Sequence, residues 1–184
     1  PMVNEDRIIM GVDPGTVIMG YGFVHVKSGK VELLEMGYLK LDKHKEQHDR
    51  LKVIYDRCLE LIIEHKPDEL AVEAPFFGKN VQSMLKLGRA QGVVLATALS
   101  RNIPIFEYAP RKIKQSITGN GNASKDQVAA MLQSILKCPP FEGPMDASDG
   151  VAAAMCHYFQ KGGNEKASYS GWSSFIKKNP GRIR

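Results

Sequence analysis

With 184 residues, 43% of them hydrophobic, the chain is long enough for one substantial core and too short for two full domains, because single domains commonly reach about 100–150 residues. No stretch approaches the roughly 18 uninterrupted apolar residues of a membrane-spanning helix, and the first residues lack the layout of a secretion signal, so we expect a cytoplasmic protein. The scattered Cys58, Cys138 and Cys156 form no C-x-x-C pair, which argues against a disulfide framework and a zinc site.

The net charge of +5 suggests a polyanionic partner, and its distribution is more informative than its sum. Residues 74–125 carry eight Lys and Arg against one acid, and residues 161–184 carry six against one. The acids lie in the flanking segments, with 14 in residues 1–73 and four in 126–160. This distribution fits an acidic metal site beside a phosphate-binding surface, whereas a solvated lysine face is the alternative explanation.

Hydrophobic patterning predicts an α/β fold with the element order βββαβαβ followed by helices. The predicted elements, in chain order, are strands Arg7–Asp13, Gly20–Lys27 and Val31–Leu41, helix His48–Glu64, strand Glu69–Glu73, helix Asn80–Arg101, strand Ile103–Tyr108, and helices Arg111–Ile117, Ser124–Lys137 and Asp146–Phe159. Ser28-Gly29-Lys30 indicates a hairpin turn between the second and third strands.

A strand, a helix and another strand in sequence usually form a right-handed crossover, so strands one, four and five are predicted to pair in parallel beside the hairpin. The result is a mixed five-stranded sheet flanked by helices. We predict one domain over residues 6–160. Residues 161–184 are rich in Gly, Asn, Ser and Lys and are predicted to form a basic, flexible tail, either a non-specific DNA arm or a solubilising extension.

Four carboxylates stand where such a sheet gathers reactive groups. Asp13 ends the first strand and Glu73 ends the fourth, and sites in open α/β sheets lie outside the carboxyl ends of strands. Asp146 and Asp149 are three residues apart at the start of the last helix and therefore share a face, although capping of that helix would also explain them. His157 lies on the apolar last helix and is expected to be a packed or a surface residue rather than a metal ligand.

Gathered carboxylates repel each other unless cations lie among them, and hard divalent ions such as Mg²⁺ or Mn²⁺ prefer oxygen ligands. Two such ions about 3.5–4 Å apart can activate a water and stabilise the departing 3′ oxygen during attack on a phosphate. The four acids therefore favour metal-dependent phosphodiester hydrolysis.

From about Ile8 to His157 the sequence resembles the RuvC family of Holliday junction resolvases. The motifs that carry the resemblance are Ile-Met-Gly-Val-Asp13-Pro-Gly-Thr, Gly20-Tyr-Gly, Val72-Glu73, Lys79-Asn80, Leu85-Lys-Leu-Gly-Arg89-Ala-Gln-Gly92, Phe106-Glu-Tyr-Ala, Lys114-Gln115 and Asp146-Ala-Ser-Asp149. The resemblance implies a ribonuclease H-like fold and a crossover junction endodeoxyribonuclease that uses Mg²⁺ to cut two strands of a four-way junction symmetrically in DNA recombination and repair. It also implies a homodimer and, as partners, four-way junction DNA and the RuvA and RuvB branch-migration complex.

The resemblance assigns roles to individual residues. Asp13, Glu73, Asp146 and Asp149 match the family's metal-binding catalytic acids. Two lysines, Lys114 and Lys125, match positions that handle the scissile phosphate, with ordinary surface lysines as the alternative.

Further DNA contacts are expected outside the acids. Phe76 matches an aromatic residue that the family inserts against bases near the junction centre, although Phe76-Phe77 would also suit a core. The basic block supplies the remaining DNA-binding candidates, which are Lys79, Lys86, Arg89, Arg111 and Lys112 beside Lys114 and Lys125.

The predicted second helix holds more apolar residues than one sheet face needs, which supports the homodimer. These residues are Met84, Leu85, Leu87, Val93, Val94 and Leu95.

Three rival functions start from the same residues. Asp13-Pro-Gly-Thr also resembles the phosphate loop of actin and sugar-kinase ATPases, but those enzymes clamp nucleotide between two domains of this size. A related ribonuclease H-fold nuclease acting on other branched, single-stranded or RNA substrates fits the sheet and the acids equally. A non-catalytic junction-binding module is disfavoured by intact acids at all four positions.

Overall fold

The computed structural model describes residues 6–74, 78, 80–141 and 143–162. Its elements, in chain order, are β1 (Arg7–Asp13), β2 (Ile18–Lys27), β3 (Lys30–Lys40), α1 (Gln47–His65), β4 (Glu69–Glu73), α2 (Val81–Leu99), β5 (Ile105–Tyr108), α3 (Pro110–Thr118), α4 (Lys125–Leu136) and α5 (Asp146–Gly162). The predicted α/β element order is confirmed. Within the described residues, no helix combines the length and apolar character needed to cross a membrane.

The five strands form one mixed sheet in the order β3-β2-β1-β4-β5. The hairpin β2–β3 and the parallel pairs β1–β4 and β4–β5 are present as predicted. The pair β1–β2 is antiparallel. The parallel register pairs Val12 with Val72, the residues just before Asp13 and Glu73. The carboxyl ends of β1 and β4 therefore lie side by side.

The fifth strand is shorter than predicted, because it begins at Ile105 and not at Ile103. Asn102 adopts a left-handed backbone with φ of 57°, and Pro104 has no amide hydrogen to give to a strand ladder. The Pro104 carbonyl nevertheless accepts a hydrogen bond from the Leu70 amide, so the chain joins β4 just before the regular strand starts.

Each face of the sheet carries its own hydrophobic cluster, because successive side chains of a strand point to opposite faces. Ile9 and Val24 are buried on the face covered by α3, α4 and α5. Met10 and Phe23 are buried on the face covered by α1 and α2. The prediction of a sheet flanked by helices is confirmed.

Helix α5 lies directly on β1 and β2, with backbone against backbone. A Cβ atom added at Gly11 would lie 2.0 Å from the Gly150 carbonyl oxygen, and one added at Gly150 would lie 2.5 Å from the Tyr21 Cα. The next residues of the helix include the small Ala152, Ala153 and Ala154, all buried. These small residues let α5 approach the strands closely and fix its start relative to the end of β1.

The far end of α5 is held by a buried polar network at the start of β4. His157 is 1% exposed, its Nε2 lies 3.0 Å from a Glu69 carboxylate oxygen, and its Nδ1 lies 2.6 Å from the Tyr108 hydroxyl. Lys161 also donates to Glu69. Burial alone would raise the pKa of Glu69, but the hydrogen bonds from His157 and Lys161 lower that pKa to about 2. Of the two alternatives expected for His157, a packed or a surface residue, the structure shows the packed one.

We expect Glu69→Gln to lower the free energy of unfolding at pH 7 by about 1–3 kcal/mol, because buried donors lose an ionised partner. The ordinary pKa of a glutamate is 4.5 and that of folded Glu69 is about 2, so this stabilisation is present above pH 4.5 and is lost as the pH falls toward 2. Urea unfolding at several pH values should show the gap between wild type and variant closing in that range.

Glu60→Gln is the matched control, since Glu60 forms an exposed pair with Arg57 that is worth at most about 1 kcal/mol. Equal losses in both variants would contradict the special role of the buried network.

Candidate active site

Carboxylates and lysines from five elements line one cleft of about 170 Å³ at the carboxyl ends of β1 and β4. Its lining includes the acids Asp13, Glu73 and Asp149 and the lysines Lys114 and Lys125. Asp146 lies beside the cleft, and Asp13, Asp146 and Asp149 each offer an oxygen atom within 4.8 Å of the other two. The structure therefore brings together the four acids and the two lysines that sequence patterns and resemblance singled out.

Local folding explains why the acids meet. Asp13 is the last residue of β1 and precedes Pro14-Gly15, while Glu73 is the last residue of the parallel neighbour β4. Asp146 begins α5, and Asp149 follows one turn later on the same face.

Gly20 is a further residue on which the site depends, and pattern reasoning gave it no role. It pairs with Asp13 across the antiparallel ladder, and a Cβ atom at this position would lie 1.7 Å from the Asp146 carbonyl oxygen. Any larger residue would push the start of α5 away from the strand. The signal in the sequence is a glycine inside a strand, which often marks a close backbone approach.

Burial and mutual repulsion change the acids strongly. Burial, together with the charges of Glu73, Asp149 and Asp146, raises the pKa of Asp13 from 3.8 to about 8. Burial and Asp149 raise the pKa of Glu73 to about 7, and burial also raises the pKa of Asp149. Positive charge placed among these carboxylates would therefore stabilise their ionised form at neutral pH.

Two lysines supply part of that positive charge. The Lys125 Nζ lies 2.5 Å from Asp149 Oδ2 and 3.7 Å from Asp146 Oδ1. Burial opposes the charged form of Lys125, but the hydrogen bond and charge of Asp149 outweigh it and raise the pKa of the ammonium. Lys114 lies across the cleft on α3, where its charge lowers the pKa of Glu73 and Asp149.

The donor set suits a hard cation. Three carboxylates within 4.8 Å of one another supply only oxygen ligands, and a buried carboxylate that resists ionisation is stabilised by a divalent ion. The acidic group could therefore hold a metal ion.

A larger groove, of about 510 Å³, lies on the outer side of α4 and is lined by neutral residues such as Asn120, Gln127 and Met131. Among the described residues its lining contains no acid and no basic residue, so these residues offer neither carboxylate ligands for a metal nor positive charge for a phosphate. The smaller, charged cleft is the candidate active site.

The remaining predicted DNA contacts fall into two groups. Lys86 and Arg89 on α2 and Arg111 and Lys112 on α3 are all exposed. Phe76 and Lys79 lie outside the described residues, as does the predicted tail beyond Gly162.

The apolar residues of α2 divide between the core and the surface. Val94 is 1% exposed, and Val93 and Leu95 pack against the same core cluster, so these three are explained by the fold of a single chain. The predicted excess of apolar residues on this helix is therefore not made up of these three. Leu85, by contrast, is 53% exposed, and Val81 at the start of the helix is 67% exposed.

Comparison with known proteins adds an independent observation to this geometry. The family model described as "Crossover junction endodeoxyribonuclease RuvC" matches residues 9–157, which include all four acids and both lysines of the cleft. The chain belongs to this family.

Relatives named as RuvC align along the whole chain. The protein from Christiangramia forsetii is 55% identical over 184 residues, covering 100% of this chain and 96% of its own length. The protein from Porphyromonas gingivalis is 56% identical and is covered completely. Among solved structures, T. thermophilus RuvC in complex with a Holliday junction substrate superimposes with a TM-score of 0.78 at 33% identity, covering 84% of this chain and 94% of that one. The fold is thus α/β of the ribonuclease H-like type that this RuvC shares.

The raised pKa of Asp13 predicts that its ionised carboxylate destabilises the folded chain. The folded chain retains a proton that the unfolded chain releases between pH 3.8 and about 8, so stability falls as the pH rises through this range. In EDTA at pH 8, we expect Asp13→Asn to be more stable than wild type by about 1–2 kcal/mol, with the gain shrinking toward pH 4.

Thermal unfolding across pH would measure this gain, and the exposed Asp42→Asn provides a control that should show none. A destabilised Asp13→Asn at pH 8 would contradict the assigned repulsion.

Proposed function

We propose that this chain is a metal-dependent endonuclease that resolves four-way DNA junctions by cutting two strands at symmetric phosphodiester bonds during recombination and repair. Membership of the RuvC family supports the substrate, as does the likeness to a RuvC bound to a Holliday junction. The observation that carries the chemistry is the convergence of Asp13, Glu73, Asp146 and Asp149 beside two lysines in one cleft.

We infer that the cofactor is Mg²⁺, with Mn²⁺ as a substitute, held by the four acids. Mg²⁺ is commonly bound through one or two carboxylates, so four carboxylates favour two ions per active site. When bound, these ions would activate the attacking water and neutralise charge on the phosphate and the departing 3′ oxygen. Burial of Asp13 and Glu73 strengthens their attraction for cations, because less water screens the charges.

The lysines act on the reacting phosphate. Lys114 and Lys125 line the same cleft as the acids, where an ammonium can hold a phosphate oxygen and stabilise the charge that develops in the transition state. Lys125 supplies a fixed positive charge and does not act as a base, because its raised pKa keeps the ammonium protonated.

DNA beyond the scissile phosphate would follow the exposed basic residues. Arg111 and Lys112 belong to the same helix as Lys114, and Lys86 and Arg89 lie on the exposed side of α2. Contacts of this kind release counterions and bind DNA without regard to sequence. We retain Lys79 as a phosphate contact and Phe76 as a base-stacking residue on the strength of their family positions alone.

Symmetric cutting of two strands needs two active sites, which one chain does not supply. We infer a homodimer, supported by the exposed Val81 and Leu85 on the first turns of α2.

By family membership, we infer that the RuvA and RuvB branch-migration complex is a partner. Because the proposed substrate forms on chromosomal DNA, we infer a cytoplasmic location. The division into a nuclease domain, residues 6–160, and a basic tail, residues 161–184, remains part of the proposal.

Cleavage and binding assays on defined substrates test the function. We expect Mg²⁺-dependent cutting of a synthetic mobile four-way junction and no comparable cutting of a linear duplex or an RNA hybrid. Asp13→Asn should lower cleavage by at least about a thousandfold while junction binding persists, because the acid acts on the chemistry and not on DNA affinity. Preferred cutting of the RNA hybrid would support the rival nuclease, and binding without any cutting would support the non-catalytic module.

Sedimentation velocity tests the homodimer. We expect a dimer at micromolar concentration, weakened by Leu85→Asp because the exposed apolar side chain becomes charged. The control is Met131→Asp, another exposed apolar position, on the outer side of α4. A monomer for the wild-type chain under these conditions would contradict the dimer.

A further inference from the structure

The Lys125 ammonium already lies close to carboxylate oxygens that a bound metal cation would need. Its ammonium lies 2.5 Å from Asp149 Oδ2 and 3.7 Å from Asp146 Oδ1, and both acids belong to the group of three that could hold a metal. Lys114 lines the same cleft, but among the described residues it has no acid within 4.0 Å. The two lysines of the cleft therefore differ in one respect, since only Lys125 is paired with the acidic group.

The backbone at Lys125 is fixed while its side chain can move. Lys125 is the first residue of α4, which begins with a capping box in which Ser124 and Gln127 satisfy each other's backbone amides. One turn later Val128 is buried in the core. The Lys125 side chain itself is 54% exposed, so its ammonium can leave Asp149 without disturbing the helix.

An ammonium and a divalent ion cannot share Asp149 without cost. Both take the carboxylate oxygen as their partner, and two cations on one carboxylate repel each other strongly where water is partly excluded. A cation bound by Asp146 and Asp149 therefore favours a position of the ammonium away from them, toward the open side of the cleft where a phosphate would lie.

We propose that Lys125 competes with divalent cations for Asp149, so that metal binding releases its ammonium to the scissile phosphate. The inference rests on the proposed function only in taking the acidic group as a cation site. Because such coupling is reciprocal, Lys125 weakens metal binding by the free protein, and metal frees Lys125 to bind phosphate. Binding of metal and binding of DNA thus each favour the other through the Lys125 side chain.

Mn²⁺ titrated into the full DNA-free chain, with free Mn²⁺ read by electron paramagnetic resonance, tests the competition without any cleavage. We expect Lys125→Gln to bind Mn²⁺ at least about fivefold more tightly than wild type, because the competing cation is gone. Lys125→Arg keeps a cation at this position and should stay within about twofold of wild type. The matched variant Lys114→Gln removes a cleft lysine whose charge acts on Glu73 and Asp149 without an ion pair to either, so any gain in affinity should be no more than about twofold.

Each result decides a different point. Unchanged or weaker Mn²⁺ binding by Lys125→Gln would overturn the competition, and so would an equal gain in Lys114→Gln, because a general loss of positive charge would then explain it. If neither wild type nor any variant bound Mn²⁺ in the millimolar range, the acidic group would not be a cation site, and the proposed function would fail with the inference. Tighter binding by Lys125→Gln alone, with Lys125→Arg like wild type, supports the competition whatever the cleavage assays show.

Discussion

Like charges held together in a partly buried cleft are the constraint on which the rest of the structure depends. Asp13 and Glu73 end neighbouring strands, and the sheet register leaves them no freedom to separate. Burial and the neighbouring charges raise the pKa of Asp13 to about 8, so the fold bears a free-energy cost at neutral pH. That cost is offset elsewhere, by two hydrophobic clusters and by contacts that hold the third element of the site, α5, in place.

Helix α5 is held at both ends by different kinds of interaction. Near its start, backbone atoms of the helix touch the strands, so the positions of Asp146 and Asp149 do not depend on flexible side chains. Toward its end, His157 and Lys161 bind the ionised Glu69 at the start of β4. The opposite ends of β4 thus carry two glutamates with opposite behaviour. Glu69 accepts hydrogen bonds from His157 and Lys161 and has a lowered pKa, whereas burial and the charge of Asp149 raise the pKa of Glu73.

The parts of this structure that follow from local patterns could be predicted from the sequence. Strand ends at Asp13 and Glu73, the hairpin at Ser28-Gly29 and the spacing of Asp146 and Asp149 are visible in short windows, and the crossover rule then gives the sheet order. These patterns were sufficient to expect all four acids in one place. The resemblance supplied the two lysines, which local patterns do not distinguish from other surface lysines.

What could not be predicted depends on residues that are distant in sequence. The pairing of Lys125 with Asp149 joins the start of α4 to the first turn of α5, and the buried contact of His157 with Glu69 spans 88 residues. The apolar residues of α2 show the same limit, since a helical stripe does not reveal that Val94 serves the chain's own core while Leu85 is exposed. Window-based patterns indicate which face is apolar, but not what covers it.

The contact between α5 and the strands restricts how this protein can be made more robust. Replacing glycine with alanine is a common route to thermostability, because it reduces the conformational entropy of the unfolded chain. At Gly11, Gly20 and Gly150 this substitution is excluded, because a methyl group would collide with main-chain atoms of the opposing element. A more heat-tolerant variant would have to gain its stability through substitutions on exposed surfaces such as the outer sides of α1 and α4, far from the contact between α5 and the sheet.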